Sequence, residues 1–209
     1  MKDYHCHILP GIDDGAQTLE DSLFLAKTLA RWGFTDAVCT PHVAKRFPNK
    51  ATTIREKHRL LKDELLRRGI KLNIDVAAEY RLNPETWYDA KREGLLAFDD
   101  NHVLIEFPVS RPEQMGDIRP MEEIDDLVKD GYIPVVAHPE RYLYLPIEEI
   151  IEFTRHGALL QCNYGSQCGM YGDDVFQRFN ALRQSDMVSF MGTDLHNEKY
   201  ANAEKVLFE

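Results

Sequence analysis

Two histidines stand one residue apart near the N-terminus, in the stretch "DYHCHILPGIDDG" from Asp3 to Gly15. Successive side chains of a β-strand point to opposite faces, so His5 and His7 would share one face and Cys6 would take the other. Two imidazoles on one face can form half of a metal site. For such a pair alone, a polar edge strand with solvated histidines is the simpler interpretation, so a metal site requires further ligands elsewhere in the chain.

Imidazole and carboxylate side chains also follow six other short apolar runs. A single His or Glu at a strand end is more often a satisfied polar residue than a ligand. A carboxylate such as Glu79 or Glu106 after a run of Val, Ile, Leu and Ala is costly, however, unless it is paired or binds metal. The set exceeds what one ion can use, which predicts a multinuclear centre with mixed nitrogen and oxygen ligands, suited to Mn, Zn or Fe rather than Mg or Ca. The candidates are His42, Glu79, Glu106, His138, Glu140, Arg141, Asn163, Asp194 and His196, with Asp13 and Asp14 after the first run.

The elements between these residues would bring them to one rim. Apolar runs rich in β-branched residues alternate with amphipathic stretches, which predicts a parallel sheet. Seven strands without a G-x-G-x-x-G after the first favour a barrel related to the TIM fold, whose chemistry lies at the C-terminal strand ends. The predicted strands are Asp3–Ile8, Thr35–Thr40, Leu72–Ala78, His102–Phe107, Ile133–Ala137, Ala158–Cys162 and Met187–Met191. The predicted helices are Thr18–Trp32 (with "TLED" as a capping box), Thr53–Arg68, Pro84–Glu93, Pro120–Asp130, Pro146–His156 and Asp173–Gln184.

Composition narrows the class of protein. With 209 residues, 44% hydrophobic and 29% charged, the chain is expected to form one domain over residues 1–209. A net charge of −10 makes it a poor non-specific binder of nucleic acid. No stretch approaches the ~20 apolar residues that span a bilayer, and "MKDYHCH" lacks a signal-peptide core, so we expect a cytoplasmic protein without membrane insertion. The four cysteines are then expected to be reduced thiols, and the absence of a CxxC pair excludes a zinc ribbon.

The motifs together resemble those of the PHP (polymerase and histidinol phosphatase) superfamily of metal-dependent phosphoesterases. More narrowly, almost the whole chain is similar to the bacterial tyrosine-protein phosphatases of capsule and exopolysaccharide gene clusters, the CpsB/CapC/YwqE type. The matching motifs are "DYHCHILPGIDDG", "CTPH", "AAEY", "LIEFP", "AHPERY" and "GTDLHN". The HxH is shared by many amidohydrolase-like barrels, whereas its combination with "DDG", "EF" and "AHPERY" is much narrower.

The resemblance implies a distorted PHP-type (β/α)7 barrel with three divalent ions, manganese being expected and iron or zinc being alternatives. It implies hydrolysis of phosphotyrosine in proteins, the substrate being a bacterial tyrosine autokinase that regulates capsular or exopolysaccharide synthesis. Arg141 matches the phosphate-binding arginine, although it could instead pair with Glu140 or another surface carboxylate. The implied ligand sets are His5, His7, Glu79 and Asp194 for one ion, Glu79, Glu106 and His138 for a second, and Asp14, His42 and His196 for the third.

Two features depart from the family pattern. Family members carry an arginine a few residues after the last histidine, whereas "HNEKYANAE" offers only Lys199. Relatives also continue with more helix beyond the seventh strand, so the C-terminal end of the domain could be incomplete in this sequence.

Further roles follow from the expected reaction. His42 and His196 are candidates for protonating the leaving tyrosinate, although metal ligation would compete with that role. The loop "KRFPNK" carries Lys45 and Arg46, which could receive an acidic phosphopeptide or could simply be solvated.

Rival chemistries are partly excluded by the residues. No cysteine is followed six positions later by arginine, which excludes a cysteine-based phosphatase, and "GSQCG" is not the G-x-S-x-G of serine hydrolases. A PHP-type small-molecule phosphatase such as a histidinol phosphatase, a phosphodiesterase and a non-catalytic, metal-stabilised binding module stay open. Structural metal sites tend to be closed, whereas this ligand set includes Arg141 and leaves room for water.

Overall fold

Parallel β-strands form the framework of the computed structural model, which describes residues 1–208. The strands in this part of the chain are β1 (Lys2–Cys6), β2 (Asp36–Cys39), β3 (His42–Val43), β4 (Asn73–Val76), β5 (Glu79–Arg81), β6 (His102–Glu106), β7 (Ile133–Ala137), β8 (Leu159–Asn163) and β9 (Val188–Gly192). They form a three-stranded sheet in the order β1-β2-β4 and a six-stranded sheet in the order β3-β5-β6-β7-β8-β9. Every neighbouring pair is parallel, which confirms the predicted α/β class.

Helices connect most of the strands. Thr18 begins the first helix with the predicted capping box, since its hydroxyl accepts from the Asp21 backbone N–H and its own N–H donates to the Asp21 carboxylate. Within residues 1–208 no helix combines the length and apolar character needed to cross a membrane. The helices are α1 (Leu19–Arg31), α2 (Ala51–Arg68), α3 (Trp87–Glu93), α4 (Pro120–Lys129), α5 (Ile147–Arg155), α6 (Tyr164–Gln167), α7 (Asp173–Gln184) and α8 (Glu198–Glu204).

The strands predicted over Thr35–Thr40 and Leu72–Ala78 form as β2 and β4, but the short strands β3 and β5 that follow them were not predicted. The run predicted over Thr35–Thr40 forms β2, and after Pro41 the chain continues as β3 in the other sheet. The run predicted over Leu72–Ala78 forms β4, and after Ala78 the chain continues as β5 in the other sheet. Proline lacks the N–H that a ladder needs, which explains the first break. The second break lies beside the first, because the Glu79 N–H donates to the Pro41 carbonyl at 3.1 Å.

The segment that follows β9 lies against β1. The Asp194 N–H donates to the His5 carbonyl at 2.7 Å, and the His7 N–H donates to the Leu195 carbonyl at 3.0 Å. The end of the six-stranded sheet therefore lies beside the beginning of the three-stranded sheet. Four residues that can bind metal lie close together there, namely His5, His7, Asp194 and His196.

A small apolar cluster lies beneath the polar ends of the strands. It contains Leu104 and Ala77, each two residues before a buried glutamate, Glu106 and Glu79 respectively. Leu104 and Glu106 share a face of β6, and Glu79 is the register partner of Leu104, so the two glutamates lie on the same side of the sheet as Leu104. The cluster thus closes off the space below the carboxylates and leaves them open only toward the strand ends. Its members are Val38, Ala77, Phe98, Leu104, Val135 and Ala137.

Candidate metal centre

The predicted metal ligands converge at the C-terminal ends of the strands. Eight of the nine are buried, with at most 9% of each residue exposed, whereas the Asp14 side chain is 47% exposed. The eight buried residues are His5, His7, His42, Glu79, Glu106, His138, Asp194 and His196. Such a concentration of ionisable groups out of water requires compensation by partners or by a bound cation.

His5 and His7 face each other through their Nε2 atoms, which are 3.0 Å apart. The Nδ1 atom of His5 lies 2.7 Å from Oε1 of Gln161, and Nδ1 of His7 lies 2.8 Å from Oδ2 of Asp13. Since both partners are acceptors, each Nδ1 carries a proton, and each Nε2 presents a lone pair when the ring is neutral, the form that binds metal. Two facing lone pairs repel unless a cation lies between or beside them, so this pair is arranged for a metal ion.

Glu79 occupies the middle of the cluster. Its Oε2 lies 3.3 Å from Nε2 of His5 and 2.8 Å from Nδ1 of His42, while its Oε1 lies 3.1 Å from Nε2 of His138. Neither Oε2 of Glu79 nor Nδ1 of His42 forms an aligned hydrogen bond, although both are buried. Buried nitrogen and oxygen atoms that lie close together without aligned hydrogen bonds are better explained by a shared cation than by a hydrogen-bonded network.

The remaining candidate ligands surround this core. Oδ1 of Asp194 lies 3.5 Å from Nε2 of His5. His196 donates from Nδ1 to the Asp194 carbonyl at 2.7 Å, which leaves its Nε2 free and 3.6 Å from Oδ1 of Asp14. Nε2 of His42 lies 3.4 Å from the same Asp14 oxygen. Asp14 therefore closes the exposed side of the cluster.

Three overlapping groups of three residues each bring their donor atoms within 4.8 Å of one another. Mixed imidazole and carboxylate donors suit divalent transition metals, so the residues present fit the implied metal. The sets differ in detail from those implied by the resemblance, because His42 rather than His138 joins Glu79 and Glu106, and His7 rather than Asp14 joins His42 and His196. The groups are His5, His7 and Glu79; His42, Glu79 and Glu106; and His7, His42 and His196.

The electrostatics of the cluster point the same way. Burial lowers the pKa of His7, but Asp13, together with Asp194 and Glu79, more than offsets this and holds that pKa well above its ordinary value. Burial raises the pKa of Glu79, yet His5 and His42 bring it well below its usual range. Burial, with the adjacent His7, lowers the pKa of His196 to about 4, which keeps this ring neutral, the form that binds metal. The carboxylates thus hold their charge only through neighbouring positive charge, which bound cations would also supply.

Two ligand-type residues have a left-handed backbone. His138 has φ 33° and Asp194 has φ 53°. Such a conformation costs roughly 1–3 kcal/mol for a residue other than glycine and is concentrated at functional sites. Each residue follows the end of a strand, β7 or β9, so the unusual turn aims the side chain at the cluster.

Two glycines allow the backbone to approach the histidines closely. A Cβ atom on Gly15 would lie 2.1 Å from the His7 carbonyl oxygen, and one on Gly192 would lie 2.5 Å from Cβ of His5. The glycine of "DDG" is therefore required by packing against a ligand.

Arg141 lies beside the cluster, with its Nη1 2.9 Å from Oδ2 of Asp194 and its guanidinium 4.5 Å from the centre of the Tyr171 ring. The alternative pairing with Glu140 is wrong. Glu140 is fully buried and accepts from the Asn163 backbone N–H and the Ser166 hydroxyl instead. Arg141 therefore faces the candidate metal centre rather than the protein surface.

A cleft of about 510 Å³ opens above the centre and is continuous with a groove of about 750 Å³ that shares Asp14 and His42. Lys45 and Arg46 line the groove, not the cleft. Lys45 pairs with Glu85 at 2.6 Å, and Arg46 lies over the Phe47 ring at 5.2 Å. Neither cation touches the metal-ligand cluster, so any role for them concerns parts of a substrate outside the reacting group.

Gln161 and Arg81 were not predicted as part of the site, and Asp13 was a candidate ligand rather than a partner of His7. Asp13 and Gln161 fix the ring protons of His7 and His5, and Arg81 pairs with Glu106 through two bonds of 2.5 and 2.7 Å. In the sequence, only Asp13 carried a signal, because it precedes Asp14 in "DDG". Partners that orient metal-binding histidines affect affinity almost as strongly as the ligands themselves.

A sequence model of the family described as "Capsular polysaccharide synthesis, CpsB/CapC" matches residues 1–204. The chain belongs to the CpsB/CapC family. It is 32% identical over 206 residues to the tyrosine-protein phosphatase YwqE of Bacillus subtilis (strain 168), an alignment that covers 97% of this chain and 80% of that protein.

Solved structures agree with this membership. A chain from the crystal structures of YwqE from Bacillus subtilis and CpsB from Streptococcus pneumoniae, described as metal-dependent tyrosine phosphatases, superposes with a TM-score of 0.85 at 31% identity, covering 99% of this chain and 86% of that one. The histidinol phosphate phosphatase of Lactococcus lactis, with zinc, L-histidinol and phosphate bound, superposes with a TM-score of 0.59 at 14% identity, covering 99% of this chain and 92% of that one. The second likeness concerns the fold alone.

Replacing Asp13 with asparagine is expected to weaken metal binding by this CpsB/CapC protein. Oδ2 of Asp13 serves both His7 and the His42 backbone N–H, while Oδ1 accepts from the Gly15 N–H, and asparagine cannot accept all three bonds with one oxygen. Loss of such a partner typically lowers metal affinity ~10–100-fold. Competition with a chelator of known affinity measures the change for Mn²⁺. The exposed Asp63→Asn serves as control, and equal affinities in the two variants would contradict the assigned role.

Proposed function

We propose that the chain hydrolyses phosphotyrosine in proteins with the help of bound divalent metal ions. The observation that carries this proposal is the pair of buried Nε2 atoms of His5 and His7, which face each other at 3.0 Å beside the Glu79 carboxylate. The neighbouring candidate ligands His42, His138 and Asp194 line an open cleft. Membership of the CpsB/CapC family supports the same reaction, since relatives bear the name of tyrosine-protein phosphatase.

We propose three ions, with Mn²⁺ preferred and Fe or Zn as alternatives. Bound divalent ions activate water as a nucleophile near neutral pH and neutralise phosphoryl oxygens. The overlap of the three candidate groups supports a multinuclear centre, because neighbouring ions would share ligands. The residues that would hold the ions are His5, His7, Glu79 and Asp194 for the first, Glu79, Glu106 and His138 for the second, and Asp14, His42 and His196 for the third.

The chain's own residues would then position the phosphate. Arg141 offers a planar pair of donors that suits two phosphoryl oxygens, and its bond to Asp194 and its contact with the Tyr171 ring hold it at the edge of the centre. The leaving tyrosinate, with a phenol pKa near ~10, departs more easily than an alkoxide. Of the two candidates to protonate it, His196 is disfavoured, because its pKa of about 4 leaves Nε2 without a proton, and His42 remains.

The groove beside the cleft supports a protein substrate. Lys45 and Arg46 line it and could contact acidic residues that flank the phosphotyrosine. Arg46 lies over the Phe47 ring and forms no ion pair with any of residues 1–208, so its charge is available to a partner. We propose a bacterial tyrosine autokinase as that partner.

The remaining proposals concern the whole chain. We propose that residues 1–209 form one domain, that its two sheets form a distorted seven-stranded PHP-type barrel, and that the protein acts in the cytoplasm. The hydrogen bonds between the segment after β9 and β1 support the barrel.

Turnover of a defined substrate panel tests the function. After metal stripping and Mn²⁺ addition, we expect hydrolysis of a phosphotyrosine peptide to exceed that of a phosphoserine peptide and of histidinol phosphate, and EDTA to abolish it. A thiol nucleophile is disfavoured because burial raises the pKa of Cys162 and Cys168. Preference for histidinol phosphate would replace the proposal with a small-molecule phosphatase, and chelator-resistant activity would refute the metal centre.

Two phosphotyrosine peptides, one with flanking Glu residues and one with flanking Lys residues, test the role of the groove. If Lys45 and Arg46 contact the flanking residues, the peptide with Glu should be hydrolysed faster.

A further inference from the structure

Arg81 is the second arginine that pairs with a predicted metal ligand. It ends β5 directly opposite Glu106 in the parallel register between β5 and β6. Its Nε lies 2.5 Å from Oε2 of Glu106 and its Nη2 lies 2.7 Å from Oε1. This planar, two-bond pairing fixes both the position and the plane of the guanidinium.

The strand geometry places Arg81 above the candidate metal centre. Glu79 and Arg81 alternate with Tyr80, which packs in the outer apolar core, so the first two share the inner face. Two residues of strand rise separate them, about 6.6 Å, in the direction of the strand ends. Arg81 therefore lies one layer closer to solvent than the central carboxylate, at the height where a group bound to the centre would project.

Part of the Arg81 side chain faces open space. It is 35% exposed, and it lines both the cleft over the centre and the adjoining groove. Of the five N–H donors of a guanidinium, the pairing with Glu106 uses two and leaves three. The side chain is thus held in place by one edge and still has donors to offer along the others.

Arg81 ends β5, whereas Arg141 lies in the short turn after β7, and both line the same cleft. Glu106, the partner of Arg81, ends β6, whereas Asp194, the partner of Arg141, follows β9, with β7 and β8 between them. Each arginine is fixed by a carboxylate at the edge of the centre, and both line the cleft. Two fixed cations flanking one opening form a site for an anion with oxygens on more than one side.

We propose that Arg81 is a second phosphate-binding residue, which contacts the phosphoryl group of the substrate from the side of the cleft away from Arg141. This inference rests on the proposed function, since it assigns a residue to the same site. The ligand chemistry is a phosphate monoester dianion or the inorganic phosphate released from it.

Binding of inorganic phosphate to the full-length, Mn²⁺-loaded protein tests the inference without turnover. Arg81→Gln is expected to weaken phosphate binding ~10–100-fold in calorimetry and in competitive inhibition, as follows from the loss of a charge-assisted contact. Arg81→Lys should recover only part of this, because lysine lacks the planar pair of donors. Elemental analysis in parallel must show that the variants hold as much manganese as the unsubstituted chain.

Arg67→Gln is the matched control. Arg67 pairs with Glu64 through the same two kinds of bond, 2.7 and 2.5 Å, but on the exposed surface of α2. The Arg67→Gln variant should therefore leave the affinity for phosphate unchanged. If Arg81→Gln fails to fold, as judged by its melting curve, Arg81→Lys alone decides.

Two results would overturn the inference. One is phosphate affinity within twofold of the unsubstituted chain at full metal content. The other is a loss that follows metal content and disappears in excess Mn²⁺, which would make Arg81 only a positioning residue for Glu106. Failure of the proposed function looks different, because the unsubstituted chain would then bind phosphate without hydrolysing the phosphotyrosine peptide.

Discussion

Replacing Glu79 with glutamine is expected to remove nearly all phosphotyrosine hydrolysis. Glu79 is fully buried and belongs to two of the three candidate groups, so its loss would disturb more than one ion. Metal ions contribute several kcal/mol of transition-state stabilisation, which corresponds to a rate decrease of roughly 10³-fold or more. Elemental analysis of the same preparation should show a lower metal content than the unsubstituted chain.

Glu123→Gln is the control for removing a buried carboxylate as such. Glu123 is also buried, but it accepts from the Trp87 indole at 2.8 Å and from Lys91 at 2.5 Å, away from the centre. This variant should lose stability while keeping turnover and metal content. Full activity of Glu79→Gln with a full complement of metal would refute the assignment of Glu79.

Replacing Arg141 with alanine is expected to lower turnover while the metal centre stays loaded. Removing one charged donor from a preorganised site typically costs ~10²–10³ in rate. Arg141→Lys should recover only part of the activity, because the planar pair of donors is lost. Measurement of kcat and metal content on the same samples tests this.

The pairing of Arg141 with Asp194 makes the metal measurement essential. A loss of activity with a proportional loss of metal would mean that Arg141 only supports Asp194. Arg178→Ala is a suitable control, because Arg178 is also partly buried but donates to the carbonyls of Tyr142 and Leu145, outside the cleft. Undiminished turnover of Arg141→Ala would remove Arg141 from the mechanism.

The sequence was sufficient to predict that the candidate ligands converge at the C-terminal ends of the strands. His and carboxylate residues placed directly after apolar runs are rare enough to be informative, and the parallel arrangement brings them together whichever way the sheet closes.

The sequence was not sufficient to predict the connections among those residues. The breaks after β2 and β4 depend on how two strands shift together between sheets, and only Pro41 marks one of them. Gln161 and Arg81 look like ordinary polar strand residues, because their importance arises from neighbours 156 and 25 positions away in the chain. Long-range pairings of this kind leave no local pattern to read.

The left-handed turns at His138 and Asp194 restrict which residues these positions can hold. Outside glycine, that conformation is best tolerated by Asn, Asp and His. Metal ligation favours His and carboxylates, so the two requirements overlap in His and Asp, and glutamate meets only one of them. Anyone who transplants this centre into another scaffold would have to copy the two turns as well as the ligand distances, since a helix or a regular strand would aim the same side chains elsewhere.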